Sequence, residues 1–425
     1  MKQTVSNQEP KGTRDWLPEE FLVRQYIFDA WRRVCRRYGF EEYLTPLVES
    51  AEIYRAKSGE DVGGKELVTF TDLGGRELCI RPEMTPSVTR MVTKVYAASP
   101  KPLKYFSIAN FMRNEKPQRG RNREFWQLNC DTFGSDSLEA DIEILQLALD
   151  LMLEFDPPAG SFVLYLNSRK LLDGIFGVMK IGAEKRTDFF RILDKYGKLD
   201  ETEFARRLQD LGVNGEGLEK IKRLMGGSGS EVMAELAQSS AEIKSAYGEI
   251  EAIINRLTEY GYGEWIEFNP AIIRGFDYYD GLVFEVFDRK PENSRALFGG
   301  GRYNGLADIF GGDNFPAVGF APGDETTKLF LESWDLLEKI KRPEIYYLPL
   351  LDESLRSQTS RLARELRGRG HDVLCGLEEQ KVGKALEFAN KKEIAKVVIF
   401  GKDEEDKGLY KVKDMESGEE KTIQL

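Results

Sequence analysis

Apolar and polar side chains alternate in two runs, residues 106–113 and 125–131, of the segment FSIANFMRNEKPQRGRNREFWQLNCDTFG at residues 106–134, and a polar loop with a glycine separates the runs. A period of two is typical of a half-buried β-strand, because successive side chains point to opposite faces of a sheet. Within residues 125–131, one face is apolar and carries Trp126, Leu128 and Cys130. The other face is polar and carries Gln127, Asn129 and Asp131. The pattern predicts an antiparallel hairpin with a polar floor and a loop at its tip.

Helical periodicity covers much of the remaining sequence before residue 330. Apolar residues at helical spacing predict amphipathic helices at residues 18–38 and 138–155. From about residue 170 to about residue 262 the chain becomes charged and helical, with little strand signal. Strand patterns at residues 162–166 and 265–268 flank this stretch. The sequence therefore predicts a helical subdomain inserted into a larger domain at residues 1–330.

A different pattern begins at Ile345, where strand, helix, strand, helix and strand segments follow one another. This alternation predicts a compact α/β domain at residues 343–425. The segment at residues 331–342 is predicted to be the linker between the two domains.

Composition and charge exclude several functional classes. The chain has 425 residues and a net charge of −11, which argues against coating nucleic acid through bulk electrostatics but permits a local basic groove. Its single histidine, His371, rules out a multi-histidine metal site within this chain, and we expect no protein-held metal. The four cysteines lack CxxC spacing, so the sequence suggests neither a disulfide framework nor a zinc knuckle. We find no apolar run long enough to span a bilayer and no secretory signal pattern, so we expect a cytoplasmic protein.

Four arginines lie on or around the loop of the predicted hairpin: Arg113, Arg119, Arg121 and Arg123. A guanidinium group binds phosphate oxygens through paired hydrogen bonds. A cationic tip over a polar floor therefore suits a polyphosphate held beside a small polar molecule. A solvent-exposed, charged hairpin explains the same residues without a ligand, so the hairpin alone does not decide between the two.

Three further polar residues lie at positions that need an explanation. Glu83 and Thr85 lie where a strand passes into a helix, with Pro86 expected at the first helical position. We expect Thr85 to be the N-cap, which leaves Glu83 available for a ligand amine. Glu285 lies inside the apolar strand at residues 282–287, and a buried carboxylate is costly unless it is paired. We expect Glu285 to meet an arginine or a ligand.

Three further strings are informative: KGTRD at residues 11–15, FEEYLTP at residues 40–46 and RGFDYY at residues 274–279. Together with the hairpin, they resemble the signatures of the histidyl-tRNA synthetase family, one of the class II aminoacyl-tRNA synthetases. KGTRD at residues 11–15 is similar to the opening signature of that family, and residues 40–46 resemble the first class II motif, which builds the dimer interface. The hairpin at residues 106–134 resembles the second motif. The most specific match is RGFDYY at residues 274–279, a string that other class II enzymes do not share. The C-terminal domain resembles the anticodon-binding domain of these enzymes.

The resemblance implies an α+β fold with an antiparallel sheet flanked by helices, a helical insertion and a C-terminal α/β domain. It also implies ATP-dependent ligation of L-histidine to histidine tRNA through a histidyl-adenylate intermediate. The expected substrates and partners are then ATP, Mg²⁺, L-histidine, histidine tRNA and a second copy of the chain in a homodimer.

The resemblance further implies roles for residues of this chain. Arg113 and Arg274 are the expected catalytic residues, holding the α-phosphate from two sides. The expected histidine site consists of Glu83, Thr85, Arg113, Gln127, Asp131, Arg274, Tyr278 and Tyr279. The expected ATP site consists of Arg113, Glu115, Arg121, Phe125 and Arg274. Arg119 and Arg123 are expected to meet the acceptor end of the tRNA.

Two positions depart from the family pattern. Many members have glutamate where Asp131 stands, and aspartate keeps the charge and the acceptor role. The third motif commonly reads Gly-Phe-Ala-x-Gly-x-Glu-Arg, in which the arginine contacts the γ-phosphate, but here Thr326 takes the place of that arginine. Arg121, Arg302 or Mg²⁺ is then expected to hold the γ-phosphate.

The departure at Thr326 keeps two alternatives open beside an active ligase. One is a regulatory paralogue that senses histidine, although such paralogues lack the anticodon-binding domain. The other is a catalytically silent protein that binds histidine or tRNA.

Overall fold

The computed structural model describes residues 6–56, 58, 61–193, 195–196, 199–226, 229–273 and 278–425. Arg274, one of the two expected catalytic residues, lies outside the described residues. The chain forms two compact units, Met1–Lys339 and Ile340–Leu425, and their boundary falls within the segment predicted to be a linker. Among the residues described, no helix combines the length and the apolar character needed to cross a membrane.

The first unit is built around a mixed set of strands. In chain order these are β1 (Glu41–Glu42), β2 (Val48–Ser50), β3 (Val68–Thr71), β4 (Glu77–Ile80), β5 (Leu103–Met112), β6 (Glu124–Phe133), β7 (Phe162–Ser168), β8 (Ile266–Phe268), β9 (Leu282–Asp288), β10 (Ala296–Arg302) and β11 (Ala317–Phe320). The small sheet has the order β2-β4-β3 and is antiparallel.

The main sheet has eight strands in the order β1-β5-β6-β11-β10-β9-β7-β8. The pairings from β5 to β7 are antiparallel, whereas β1 and β8 join the two edges in parallel. The α+β class and the antiparallel sheet are thus confirmed. The predicted hairpin is the pair β5 and β6, in which Ala109 lies opposite Gln127 and Tyr105 lies opposite Asp131.

Helices of the first unit surround this sheet. They are α1 (Pro18–Arg37), α2 (Ala51–Arg55), α3 (Thr85–Val95), α4 (Leu138–Leu153), α5 (Arg169–Val178), α6 (Arg186–Leu193), α7 (Glu201–Asp210), α8 (Gly215–Met225), α9 (Gly229–Ser239), α10 (Ala241–Glu259) and α11 (Asp324–Ser333). Short 3₁₀ turns lie at Tyr96–Ala98, Ala183–Lys185, Pro291–Asn293, Leu306–Phe310 and Leu336–Lys339, and a π turn lies at Asp61–Lys65. The run from α5 to α10 is the helical insertion that the sequence predicts.

The two faces of the main sheet differ in character. One face packs on α1 and α4, where Trp31, Cys35, Leu128 and Cys130 belong to one buried apolar core. Cys35 and Cys130 bring their sulfur atoms within 3.2 Å of each other. The opposite face carries the polar residues of β6, as the alternation predicts, and it forms the floor of a cavity.

One local prediction about this region is wrong. Thr85 was expected to be the N-cap of the helix that follows Glu83, but α3 begins at Thr85 itself. The N-cap residue is Met84, which makes no side-chain capping bond, and a proline stands in the first turn. A proline there lacks the N–H that a cap would satisfy, so a capping side chain has less to do at this helix.

The second unit is an α/β domain. Its elements are β12 (Ile345–Leu350), a 3₁₀ turn (Glu353–Leu355), α12 (Arg356–Gly368), β13 (Asp372–Glu379), α13 (Val382–Lys391), β14 (Lys396–Ile399), α14 (Lys402–Asp406), β15 (Leu409–Asp414) and β16 (Glu420–Gln424). The sheet order is β13-β12-β14-β15-β16. The strands before β15 are parallel, as their alternation with helices predicts, whereas β15 and β16 add an antiparallel hairpin that the sequence pattern did not predict.

Candidate active site

A cavity of about 1140 Å³ opens over the polar face of the main sheet. Its walls come from β6, β9, β10, β11, the start of α3, the hairpin loop and the helical insertion. The following residues singled out in the sequence line it together: Glu83, Thr85, Arg113, Glu115, Arg121, Phe125, Gln127, Asp131, Tyr278 and Tyr279. Residues that are distant in the sequence therefore share one space, and their individual roles stay predictions.

One end of the cavity, which we call the carboxylate end, consists of Glu83, Asp131, Tyr278 and Tyr303. Asp131 is 4% exposed, and the Tyr303 hydroxyl donates a 2.5 Å hydrogen bond to its Oδ1. Burial raises the pKa of Asp131 to about 7, and the hydrogen bond from Tyr303 acts in the opposite direction. The Asp131 carboxyl group therefore gains or loses its proton near neutral pH, and the hydrogen bond from Tyr303 fixes its position.

The neighbouring strand leaves room for Asp131 because it carries glycine there. Gly319 in β11 lies directly opposite Asp131, and a Cβ atom at Gly319 would come within 2.1 Å of Asp131 Oδ1. Gly301 lies opposite Gly319 on β10, and a Cβ atom there would come within 2.8 Å of the Tyr279 ring. The glycine turns of the sequence thus permit close packing beneath these side chains.

Glu83 forms the second carboxylate of this end. The Tyr278 hydroxyl donates a 2.9 Å hydrogen bond to Glu83 Oε2, and both side chains are buried. The Tyr278 ring lies 4.8 Å from that of Tyr279 and 5.8 Å from that of Tyr303, measured between ring centroids. The two carboxylates are therefore held by a connected group of tyrosines. Such a group fixes acceptors for the N–H donors of a small ligand.

Arg113 lies between the two ends of the cavity. Its Nε donates a 3.0 Å hydrogen bond to the Pro82 carbonyl, and its guanidinium lies 5.0 Å from the centre of the Phe125 ring. Burial lowers the pKa of Arg113, while the charges of Glu83 and Glu115 act in the opposite direction. The side chain is held at its Nε, and its cationic head lies within the cavity wall.

The other end, which we call the arginine end, consists of Glu115, Arg121 and Arg295. Arg121 Nη1 lies 2.9 Å from Glu115 Oε2, and the Arg121 side chain is 45% exposed while that of Glu115 is 7% exposed. Burial raises the pKa of Glu115, and Arg121 is the largest influence opposing that shift. Arg295 Nη2 donates a 2.8 Å hydrogen bond to Gln118 Oε1.

The two loop arginines that were expected to meet tRNA do not line the cavity. Arg119 is exposed at the tip of the loop. Arg123 is half-buried, and its Nε donates a 3.1 Å hydrogen bond to the Glu115 carbonyl. Its backbone N–H donates to the Gly12 carbonyl at 2.8 Å, and Gly12 has φ +90° with the Arg123 side chain against it. The N-terminal KGTRD segment thus supports the base of the hairpin loop.

The start of α11 ties the third-motif segment to the rest of the site. Asp324 Oδ2 lies 2.6 Å from Arg24 Nη2 in a buried ion pair, and Asp324 Oδ1 accepts a 3.0 Å hydrogen bond from the Trp126 N–H. Arg14 of the KGTRD segment lies 3.5 Å from Glu325. A buried pair of this kind is strongly destabilising to break, so it fixes α11 against α1 and β6.

The structure rules out one of the groups considered for the γ-phosphate. Arg302 was one candidate, but it is 4% exposed and does not line the cavity. Its guanidinium is bound by Asp141 at 2.8 Å and by Asp136 at 3.2 Å. Because these carboxylates already neutralise its charge, Arg302 has a structural role.

Sequence reasoning missed three groups of cavity residues. Tyr303 lies 172 positions from its partner Asp131, so only the fold reveals the pair. Arg295 precedes β10 without any motif around it. The helical insertion contributes a set of basic side chains to the lining: Arg169, Arg186, Arg191 and Lys195. Their signal in the sequence was only the general charge of the insertion.

Glu285, expected to be paired, lies in β9 with its half-buried side chain in the cavity wall.

This chain resembles known proteins over almost its whole length. The family model described as Histidyl-tRNA synthetase matches residues 12–324, and the one described as Anticodon binding domain matches residues 344–425. A curated histidine–tRNA ligase from Leptospira biflexa is 38% identical over 421 residues, which cover 98% of this chain and 95% of the relative. The histidine–tRNA ligase from Pyrococcus furiosus is 37% identical over 420 residues, which cover 98% and 96%.

A solved structure shares the fold. The histidyl-tRNA synthetase from Nostoc sp. PCC 7120 has a TM-score of 0.83 at 24% identity, with 99% of this chain and 97% of that one covered. A regulatory or silent paralogue is not favoured, because relatives of nearly the same length are ligases and the second unit matches the anticodon-binding domain. The chain therefore belongs to the histidyl-tRNA synthetase family.

Proposed function

We propose that this cavity is the site where L-histidine is activated by ATP and then transferred to histidine tRNA. Family membership establishes the overall ligation. The observation that carries the residue-level proposal is that one cavity joins buried carboxylates at one end to arginines at the other. An amino acid and a triphosphate that must react with each other need these two environments side by side.

The carboxylate end binds histidine in this proposal. Asp131 and Tyr279 hydrogen-bond the two imidazole nitrogens, while Glu83, Thr85 and Gln127 bind the α-amino group. Tyr278 and Tyr303 orient the two carboxylates through the hydrogen bonds that they donate. A ligand without the imidazole would leave buried polar groups unsatisfied, which gives strong discrimination.

Arg113 binds the histidine carboxylate and the α-phosphate of ATP at once. A carboxylate oxygen of histidine attacks the α-phosphorus, the bond from phosphorus to the bridging oxygen breaks, and pyrophosphate leaves. Charge spreads over the phosphoryl oxygens in the transition state, so catalysis depends on positioning and neutralisation more than on a protein base. Arg274 is proposed to approach the same phosphate from the opposite side. Glu115, Arg121 and Phe125 are proposed to bind the rest of ATP.

ATP is proposed to enter as its Mg²⁺ complex. Mg²⁺ commonly keeps several waters and is bound through substrate phosphates rather than by an all-protein cage. In the part of the chain that the structure describes, no three histidine, cysteine or carboxylate side chains are grouped to hold a metal ion. The proposal therefore gives Mg²⁺ to the phosphates, with cavity carboxylates as outer partners.

For the second step, the 3′-terminal ribose hydroxyl of histidine tRNA attacks the histidyl carbonyl and AMP leaves. Arg119 and Arg123 are proposed to lie along the acceptor end, with residues 343–425 as the anticodon-binding domain. The exposed loop position of Arg119 supports its part, because RNA ends are commonly bound by reachable cationic side chains. We propose that this happens in the cytoplasm.

A homodimer is also part of the proposal. Leu44, Leu47 and Val48 follow the edge strand β1, and their exposures are 68%, 42% and 39%. Contiguous exposed apolar side chains mark interaction surfaces. A pairing of two copies through this segment would cover these side chains. We propose twofold symmetry for the pair, because closed twofold dimers are the commonest oligomers.

The test is histidine-dependent exchange of pyrophosphate into ATP, followed by charging of histidine tRNA with purified protein. We expect exchange with histidine and none with the other amino acids. Arg289→Ala serves as a matched control, because Arg289 is a surface arginine paired with Glu267 outside the cavity. A folded protein that binds histidine without any exchange would contradict the proposal.

A further inference from the structure

The third-motif segment of this chain contributes no cation at the arginine end, because its side chain there is Thr326. The Thr326 hydroxyl donates hydrogen bonds to the backbone carbonyls of Leu297, at 2.7 Å, and Gly323, at 3.2 Å. It is thus turned to β10 and to its own helix start. Thr326 therefore binds the backbone of β10, and Arg295 is the residue just before that strand.

Arg295 belongs to the same stretch of chain as Leu297, the residue whose carbonyl Thr326 binds. It directly precedes β10, two positions before Leu297, and both residues line the cavity. Its guanidinium binds the neutral side-chain amide of Gln118. Among the described residues, no carboxylate lies within ion-pairing distance of Arg295, whereas Arg121 is already paired with Glu115. Of these two cations, Arg295 has the charge that an anion can neutralise.

The hairpin loop brings Arg121 to the same place, together with Gln118, the hydrogen-bond partner of Arg295. Gln118 and Arg121 exchange backbone hydrogen bonds of 3.0 and 2.8 Å across a tight turn. Gly120, within that turn, has φ +74°, and a Cβ atom there would lie 3.1 Å from Leu329 and 3.8 Å from Thr326. The turn therefore lies against α11, so Arg121, Arg295 and Thr326 share one corner of the cavity.

We infer that Arg295 binds the γ-phosphate of ATP and replaces, from the residue just before β10, the arginine that this chain lacks at Thr326. The inference rests on the proposed function, because it assumes that ATP lies with its α-phosphate at Arg113. The triphosphate then extends from Arg113 toward the corner formed by Arg121 and Arg295. A guanidinium group can give two parallel hydrogen bonds to the terminal phosphate, which carries the largest charge.

The test compares ATP with ADP, which differ by the γ-phosphate alone. For Arg295→Ala we expect the Kd for ATP to rise by about 10- to 100-fold, as for the loss of a charge-assisted hydrogen bond, while the Kd for ADP stays within about twofold. Histidine affinity and transfer from isolated histidyl-adenylate to tRNA should be unchanged, which also shows that the variant is folded. The control Arg289→Ala removes a surface arginine six positions earlier and should bind both nucleotides like the wild type.

Two results would overturn the inference. One is an equal loss of ATP and ADP binding, or no loss of either, in Arg295→Ala. The other is the same loss of ATP selectivity in Gln118→Ala, which removes the hydrogen bond of Arg295 but keeps its charge, because Arg295 would then act by positioning the loop. Wild-type exchange activity separates this inference from the proposed function: if the wild type activates histidine and Arg295→Ala keeps full ATP selectivity, only the inference is wrong.

Discussion

The two ends of the cavity are built on opposite physical principles. At the carboxylate end, Asp131 and Glu83 are each 4% exposed and accept hydrogen bonds from tyrosines that are themselves buried. At the arginine end, Arg121 and Arg295 are exposed, and the loop that carries Arg121 is held by a few polar contacts.

In the proposed function, this difference separates selection of the amino acid from neutralisation of the charge on ATP. A small neutral ring is recognised by buried acceptors whose geometry is set in advance, because a wrong ligand leaves them unsatisfied. A triphosphate is recognised by charge, which tolerates small displacements and solvent. Substitutions at the carboxylate end should therefore change which amino acid is used, and those at the arginine end should change how tightly ATP binds.

Arg113 lies between the two ends and is proposed to bind both substrates, so its loss should have the largest effect. For Arg113→Ala we expect the rate of adenylate formation to fall by about 10²- to 10³-fold, as for the loss of a main transition-state donor. Arg113→Lys keeps the charge but loses the paired donors, and it should recover only part of the rate. The measurement is single-turnover formation of histidyl-adenylate. Equal rates for the lysine variant and the wild type would show that charge alone suffices.

A substitution at Asp131 should affect the amino acid and leave ATP alone. For Asp131→Ala we expect KM for histidine to rise by about 10²-fold, because a charge-assisted hydrogen bond in a buried site is lost. KM for ATP should stay within about twofold, since Arg121 and Arg295 are untouched. Tyr303→Phe removes only the hydrogen bond that orients Asp131 and should have a smaller effect of the same kind. A parallel rise in both KM values would remove the distinction between the two ends.

The pKa of Asp131 gives the carboxylate end a pH dependence. Burial raises that pKa from 3.8 to about 7, so the folded protein binds a proton more tightly than the unfolded chain. The resulting contribution to stability is full below about pH 4 and is lost as pH rises through about 7, at about 1.4 kcal/mol for each pH unit. Asp131→Asn should lack this slope in denaturant unfolding at pH 5 and pH 8. Saturating histidine should flatten the wild-type slope, because its N–H stabilises the carboxylate; a slope identical in variant and wild type would point to another group.

The smallest effect is expected at the exposed loop arginine. Arg121→Ala should raise KM for ATP by about 10-fold at low salt and by less at high salt, because exposed charges are screened. KM for histidine should not change. Pyrophosphate exchange at two ionic strengths measures this, and a salt-independent effect would mean that Arg121 works mainly by holding Glu115 in place.

Much of the fold could be predicted from the sequence where a pattern is local. The alternation at residues 125–131 predicted the strand, and it also predicted that Gln127, Asn129 and Asp131 lie on one face. The alternation of strands and helices after Ile345 likewise predicted the parallel strands of the second unit. Periodicity reports which side of an element is buried, and that is enough to place side chains on a face.

Partners that meet only in three dimensions could not be predicted. Nothing in the sequence near Arg302 shows that Asp141 binds it, so its charge was wrongly considered available for a phosphate. Tyr303 and Arg295 were missed for the converse reason, because each becomes part of the site only through the pairing of β10 with its neighbours. The prediction that Thr85 is the N-cap was wrong, because a proline in the first turn lacks the backbone N–H group that a capping side chain would bind.

The most direct measurement is a crystal structure with a stable sulfamoyl analogue of histidyl-adenylate. The account predicts the imidazole within hydrogen-bond distance of Asp131 and Tyr279, with the sulfamoyl group, which stands in for the α-phosphate, beside Arg113. The path for pyrophosphate should then lead toward Arg121 and Arg295. An analogue bound with its imidazole among the arginines, or outside the cavity, would contradict the division of the site into these two ends.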